Sequence, residues 1–154
     1  MLIYRKATID DIDALAKMRF EILKEGSVGY GEDVRDKWES GFKKFFMRAI
    51  TDGSFVSWVA VDGDRIAATG GASFFSIPPS KSSPTGTVAY LANMYTYHEY
   101  RGQGIGTKII KMAMEEAKSR GCGKIILYAT KKAKKLYKKL GFYTDRYDMV
   151  YYFR

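Results

Sequence analysis

Read from the N-terminus, the spacing of apolar residues switches several times between a period near two and a period near four. Met1-Leu2-Ile3-Tyr4-Arg5-Lys6 reads as a first strand. Thr8-Ile9-Asp10-Asp11 resembles a capping box with Asp11 in place of the usual Glu, and predicts a helix burying Ile12, Leu15, Ala16, Ile22 and Leu23. Gly26 to Gly31 breaks the chain, and a second helix is expected over about 32–50, carrying Trp38, Phe42, Phe45 and Phe46. Residues 55–61 and 65–77 read as two strands joined by Asp62-Gly63-Asp64, a hairpin signal. After a polar loop at 78–84, residues 88–96 form another apolar strand. Ile105, Ile109, Ala113 and Ala117 then recur every four residues, the buried face of a helix. A short strand is expected at 124–129 and a helix after it, on which Ala133, Leu136, Tyr137 and Leu140 share one stripe. Gly141 stands where that helix would end in a left-handed cap. The aromatic tail, Tyr147 and Met149-Val150-Tyr151-Tyr152-Phe153, predicts one or two closing strands.

The stretch between the strand at 88–96 and its helix carries the most chemistry. It reads Arg101-Gly102-Gln103-Gly104-Ile105-Gly106. Alternate glycines strip side chains from the turn, and the following helix brings unpaired amides and the positive end of its dipole to the same place. Together these make a cradle for an anion, most naturally phosphate or pyrophosphate. A P-loop would need Gly-x-x-x-x-Gly-Lys-Ser/Thr, which the chain lacks. A dinucleotide fingerprint starting at Gly102 would need glycine at its sixth position, where Thr107 stands. A tight turn without ligand is the remaining plain reading.

Arg-Gly-x-Gly-x-Gly after a strand resembles the acetyl-CoA pyrophosphate loop of the GNAT family of N-acetyltransferases. The segment from Thr130 to Phe142 resembles a second signature of that family, an alanine followed by Leu-Tyr and closed by Leu-Gly-Phe. The order of elements matches along essentially the whole chain. The resemblance implies a single GNAT domain over 1–154, of α+β (mixed α/β) class, with a twisted mixed sheet of about six to seven strands and about four flanking helices. It implies acetyl-CoA as cosubstrate, with no metal. Asn93, Met94, Tyr95 and Thr96 would line the pantetheine arm along a bulged strand, mainly through the main chain of Met94 and Thr96. Arg101, Gly102, Gln103, Gly104, Ile105, Gly106 and Thr107 would wrap the pyrophosphate. Thr130, where many members carry Asn, and Ala133 would complete the cofactor contacts. A backbone N–H near Met94 would polarise the thioester carbonyl, an amine would attack directly, and Tyr137 would be the general acid that protonates the departing thiolate. The plain alternative for Tyr137 is a core residue anchoring its helix.

Composition narrows the rest. The 154 residues suffice for one sizeable core, and 46% of them are hydrophobic. No apolar run approaches the ~20 residues a membrane span needs, and the N-terminus lacks the h-region of a signal peptide. Cys122 is the only cysteine, which excludes an intrachain disulfide and a cysteine-rich metal site and points to a reducing cytoplasm. The net charge of +9 is unevenly placed: residues 1–77 hold 11 basic against 12 acidic residues, and 78–154 hold 15 against 5. Six lysines lie between Lys131 and Lys139, on the exposed face of the Tyr137 helix. Most read as solvated, with one or two available to the 3′-phosphate of CoA.

The general base is not fixed by sequence. His98 reads as a surface turn residue, and Glu99 lies at the pyrophosphate end. Glu25, Glu32, Asp33 and Glu39 fall in the region expected to shape the acceptor pocket, where any of them would attract a cationic amine. The acceptor implied is a small-molecule or peptide amine. The competing reading is a catalytically idle module of the same fold that binds CoA or nucleic acid through its basic half. Its aromatics alternate as strand core, which argues against RNA stacking. Whether the closing strand folds back or pairs across a homodimer stays open.

Overall fold

The computed structural model describes residues 1–26, 31–145 and 147–153. Its order is β1 (Ile3–Lys6), α1 (Ile12–Gly26), α2 (Arg35–Asp52), β2 (Phe55–Asp62), β3 (Arg65–Ser76), β4 (Thr87–Thr96), α3 (Ile105–Ser119), β5 (Lys124–Ile126) and α4 (Lys131–Lys139). The five strands form one sheet in chain order, antiparallel from β1 to β4 and parallel between β4 and β5. This is the mixed α+β architecture expected, with four α-helices among the described residues.

Period-two alternation in β2 divides the core into two layers. Trp58 and Ala60 face α3, where they pack with Ala68, Ala72, Leu91, Ile105, Ile109, Ile110, Ala113 and Tyr137. Phe55 and Val59 face the other way, onto Ile12 and Leu15 of α1 and Phe46 and Ala49 of α2. Complete burial of a side chain such as Leu15 contributes about 1.5–3 kcal/mol. The capping box forms as read: Thr8 Oγ1 accepts from Asp10 N–H, and Asp11 Oδ2 accepts from Thr8 N–H at 2.8 Å. Asp11 also accepts two bonds from the Arg5 guanidinium, at 2.7 and 2.9 Å, and this pairing first of all holds its carboxyl below the usual range.

Four expectations need correction. The sheet has five strands rather than six or seven, because no ladder joins the tail to β5 among the described residues. Tyr147, Met149, Tyr151, Tyr152 and Phe153 stand exposed. Aromatic β-propensity reports side-chain packing more than backbone pairing, and β5 offers the tail an edge of only three residues. The strand expected at 124–129 accordingly stops at Ile126. On α1, Ile22 and Leu23 are only half-buried, while Met18 and Phe20 are fully buried. That helix packs against both α2 and the sheet, so its buried arc is wider than one stripe. The second helix begins at Arg35, after a 3₁₀ turn at Glu32–Val34.

Candidate active site

β4 is irregular where it matters. Its register with β3 runs Gly71↔Ala92 and then Thr69↔Tyr95, so Gly70 opposes two residues, Asn93 and Met94. Asn93 takes φ +58, the left-handed conformation that asparagine tolerates better than most residues. Gly70 makes the bulge possible, since a Cβ there would collide with the Met94 thioether and with Ile109. β4 pairs with β5 only from Val88 to Tyr90, and beyond that point no ladder joins the two strands. The sheet therefore opens beside the bulge. Asn93 is 4% exposed, yet among the described residues neither its amide nitrogen nor its carbonyl oxygen has a hydrogen-bond partner. Leaving such atoms unpaired costs about 1–3 kcal/mol each, so this buried carboxamide is polar capacity that the described residues do not use.

The glycine turn follows. Gly102 and Gly104 both take φ +76, and a Cβ on either would project into open space. Gly104 is the N-cap of α3, with no side-chain cap and no acidic residue in the first turn. The leading amides of a 15-residue helix thus face the turn without a side-chain acceptor at their cap among the described residues. Ile105 is buried in the core and pins the start of α3, Thr107 is half-buried, and a Cβ added at Gly106 would meet the Leu136 side chain of α4 at 3.9 Å. Gln103 donates to the Glu99 carbonyl at 3.3 Å, which ties the turn to the preceding 3₁₀ segment. Backbone, space and charge fit a diphosphate.

Arg101 is placed differently from the simple expectation. Its Nε donates to the Thr96 carbonyl at 2.8 Å, and its Nη2 donates to both oxygens of Glu25, at 3.0 and 3.1 Å. Tyr95 Oη donates to the same carboxylate at 3.1 Å, and the guanidinium lies 5.5 Å from the Tyr95 ring centre. Burial, followed by the charge of Glu25, pushes the Tyr95 hydroxyl up to about 12. Sequence reading placed Glu25 only in a group of four candidates. Seventy-six positions separate it from Arg101, and no local pattern carries such a pairing.

Across the cleft, Thr130 caps α4 by accepting the Ala133 N–H at 3.3 Å, so its hydroxyl oxygen already serves the helix. Tyr137, 8% exposed, packs edge-on against Phe142 with ring centres 5.6 Å apart, and its hydroxyl has no partner among the described residues. Burial raises its pKa. Gly141 takes φ +93 and ends the helix as the sequence suggested. The six α4 lysines are all exposed. Of the base candidates, His98 sits exposed in the 3₁₀ turn, Glu99 pairs with Arg65 at 2.6 Å, and Glu39 is half-buried on α2. The Glu32 side chain lies outside the described residues. Among those residues no three His, Cys, Asp or Glu side chains gather as a metal site, and no helix is long and apolar enough to cross a membrane.

Comparison with known proteins agrees with this geometry. Thialysine N-epsilon-acetyltransferase of Mus musculus is 49% identical over 63 residues, which cover 39% of this chain and 37% of the mouse protein's length. A crystal structure of a predicted acetyltransferase with acetyl-CoA from Clostridium acetobutylicum superposes with a TM-score of 0.88 at 31% identity, covering 99% of this chain and 96% of that one. A GCN5-related N-acetyltransferase from Ralstonia eutropha superposes with a TM-score of 0.87 at 25% identity, covering 99% of each. Residues 17–142 match the family model described as the acetyltransferase (GNAT) family. The chain belongs to that family.

Proposed function

We propose that this chain is an N-acetyltransferase that moves an acetyl group from acetyl-CoA to a primary amine by direct attack. The observation that carries the reading is the bulge of β4 at Asn93–Met94, just past the end of its short ladder with β5 and followed in the chain by the bare turn at the start of α3. Residues 101–107 hold the diphosphate. The β4 edge from Asn93 to Thr96 presents main-chain groups to the arm, and Ala133 packs beside it at the start of α4. Acetyl-CoA supplies the activated acetyl group and a thiol leaving group. The Met94 N–H serves as the donor at the carbonyl oxygen, where a fixed dipole stabilises developing negative charge. Tyr137 donates its proton to the sulfur. Its raised pKa keeps it protonated at neutral pH, as an acid must be.

For the acceptor, the mouse relative's name makes thialysine the first amine to test. The deciding experiment is thiol release from acetyl-CoA over a panel of thialysine, amino acids, polyamines, amino sugars and peptides, paired with calorimetric titration of CoA. Gly104→Val places a branched side chain in the open space of the turn at a φ that such residues avoid, and should abolish CoA binding. Unchanged affinity in that variant refutes the cradle.

A further inference from the structure

Building on the acetyl-CoA reading, we propose that Glu25 is a carboxylate with two successive partners. It pairs with Arg101 in the chain as described, and with the ammonium of a cationic acceptor once a diphosphate draws Arg101 away. The contacts set up such an exchange. Arg101 is anchored to the Thr96 carbonyl through Nε and holds Glu25 through Nη2. The outer nitrogen can therefore turn toward the glycine turn while the inner one keeps its bond.

The energies favour the move. The Arg101 and Glu25 side chains are 39% and 51% exposed. Screening by solvent leaves such a pair little net stability, whereas a diphosphate brings more negative charge to the positive end of α3. Glu21 makes a useful contrast. Its partner Arg35 comes from α2, at 3.0 Å, and belongs to no part of the glycine turn.

What Arg101 leaves behind suits another cation. Glu25 keeps the Tyr95 hydroxyl bond and regains acceptor capacity, which an ammonium with three donors matches. The Tyr95 ring, now flanked by the guanidinium at 5.5 Å, also becomes available to a positive charge. Tyr95 directly follows Met94, so the cation would be held one residue from the proposed carbonyl donor. Glu25 acts here as a binding and positioning group for a charged acceptor, and cofactor binding precedes acceptor binding.

The test uses the full chain and a double-mutant cycle. CoA is titrated calorimetrically into the parent protein, Glu25→Gln, Arg101→Gln and the double variant. Glu25→Gln should tighten CoA about 1.4- to 5-fold, the equivalent of ~0.2–1 kcal/mol for an exposed pair, and Arg101→Gln should weaken it. The gain from Glu25→Gln should vanish when Arg101 is absent. A gain that persists in the double variant is simple charge repulsion and overturns the exchange, as does an unchanged affinity in either single variant. In steady-state assays at saturating acetyl-CoA, the varied amine is thialysine, or the panel amine with the highest turnover if thialysine is not accepted. Its KM should rise at least about fivefold in Glu25→Gln with kcat within about twofold, and Glu25→Asp should recover part of the loss. An unchanged KM overturns the acceptor half. If the parent protein itself fails to bind CoA, the acetyl-CoA reading falls instead.

Discussion

Tyr137→Phe tests the proposed acid hydroxyl separately from the ring that packs in the core. The side chain is 8% exposed among Ile105, Ile109 and Leu91, with Phe142 packed against its edge, and all of that contact survives in phenylalanine. The hydroxyl has no partner among the described residues, so no hydrogen bond is lost on substitution. Folding stability should therefore change by less than about 1 kcal/mol, or about 2–4 °C in Tm for a chain of this size. The rate should respond far more. Without a proton donor, thiolate must leave unprotonated, and turnover should fall about ten- to a thousandfold, equivalent to roughly 1.4–4 kcal/mol of barrier. The affinity for acetyl-CoA should move little, because the turn and the β4 backbone remain. Because burial raises the Tyr137 pKa, the acid stays loaded across neutral pH, and the parent enzyme should show no alkaline decline from this group below about pH 10. Thiol release at saturating amine, measured from pH 6 to 10 beside thermal unfolding, reads both quantities. Turnover within twofold of the parent at every pH refutes the acid role. A collapse of Tm that accompanies the lost rate refutes the claim that the ring alone carries the packing.

Gly70→Ala should lower unfolding free energy by about 1–3 kcal/mol, because the added methyl meets Met94 and Ile109 at the bulge; an unchanged denaturation midpoint would contradict that close approach. Asn93→Gly retains the left-handed backbone while deleting the unpartnered carboxamide. Turnover should drop with Tm held within about 4 °C, and a large fall in Tm would reveal a structural partner for the amide. Asp11 has a depressed pKa in the folded state, so its contribution to stability is present above the unfolded value of about 4 and disappears as pH falls through the folded value. Stability of the parent chain should thus decline more steeply between about pH 5 and 2 than that of Asp11→Asn. Parallel pH curves would remove Asp11 from the acid response. Because Arg5 is 43% exposed, the difference should remain modest.

Local chemistry made much of this fold legible. The capping box at Thr8, the hairpin at Gly63 and the left-handed end at Gly141 each depend on a few adjacent residues, and each appears where its residues predict it. The buried face of α3 follows from spacing alone. Two kinds of feature were hidden. The extent of β5 and the fate of the tail depend on what lies beside them in space, which aromatic content does not report. The tie between Glu25 and Arg101 joins the first helix to the glycine turn with no pattern in between. Asn93 lies between the two. An asparagine inside an apolar strand is a signal for a kink, but its unpaired amide became visible only once its neighbours were in place.

The three-residue seam that attaches β5 to the sheet has a thermodynamic corollary. A molecule threaded through the opening past Tyr90 would act as mortar between the two halves, supplying hydrogen bonds that a longer ladder would otherwise provide. Resistance to heat or protease should then climb with the logarithm of cofactor concentration. Cellular supply of that molecule would help govern the protein's lifetime as well as its rate.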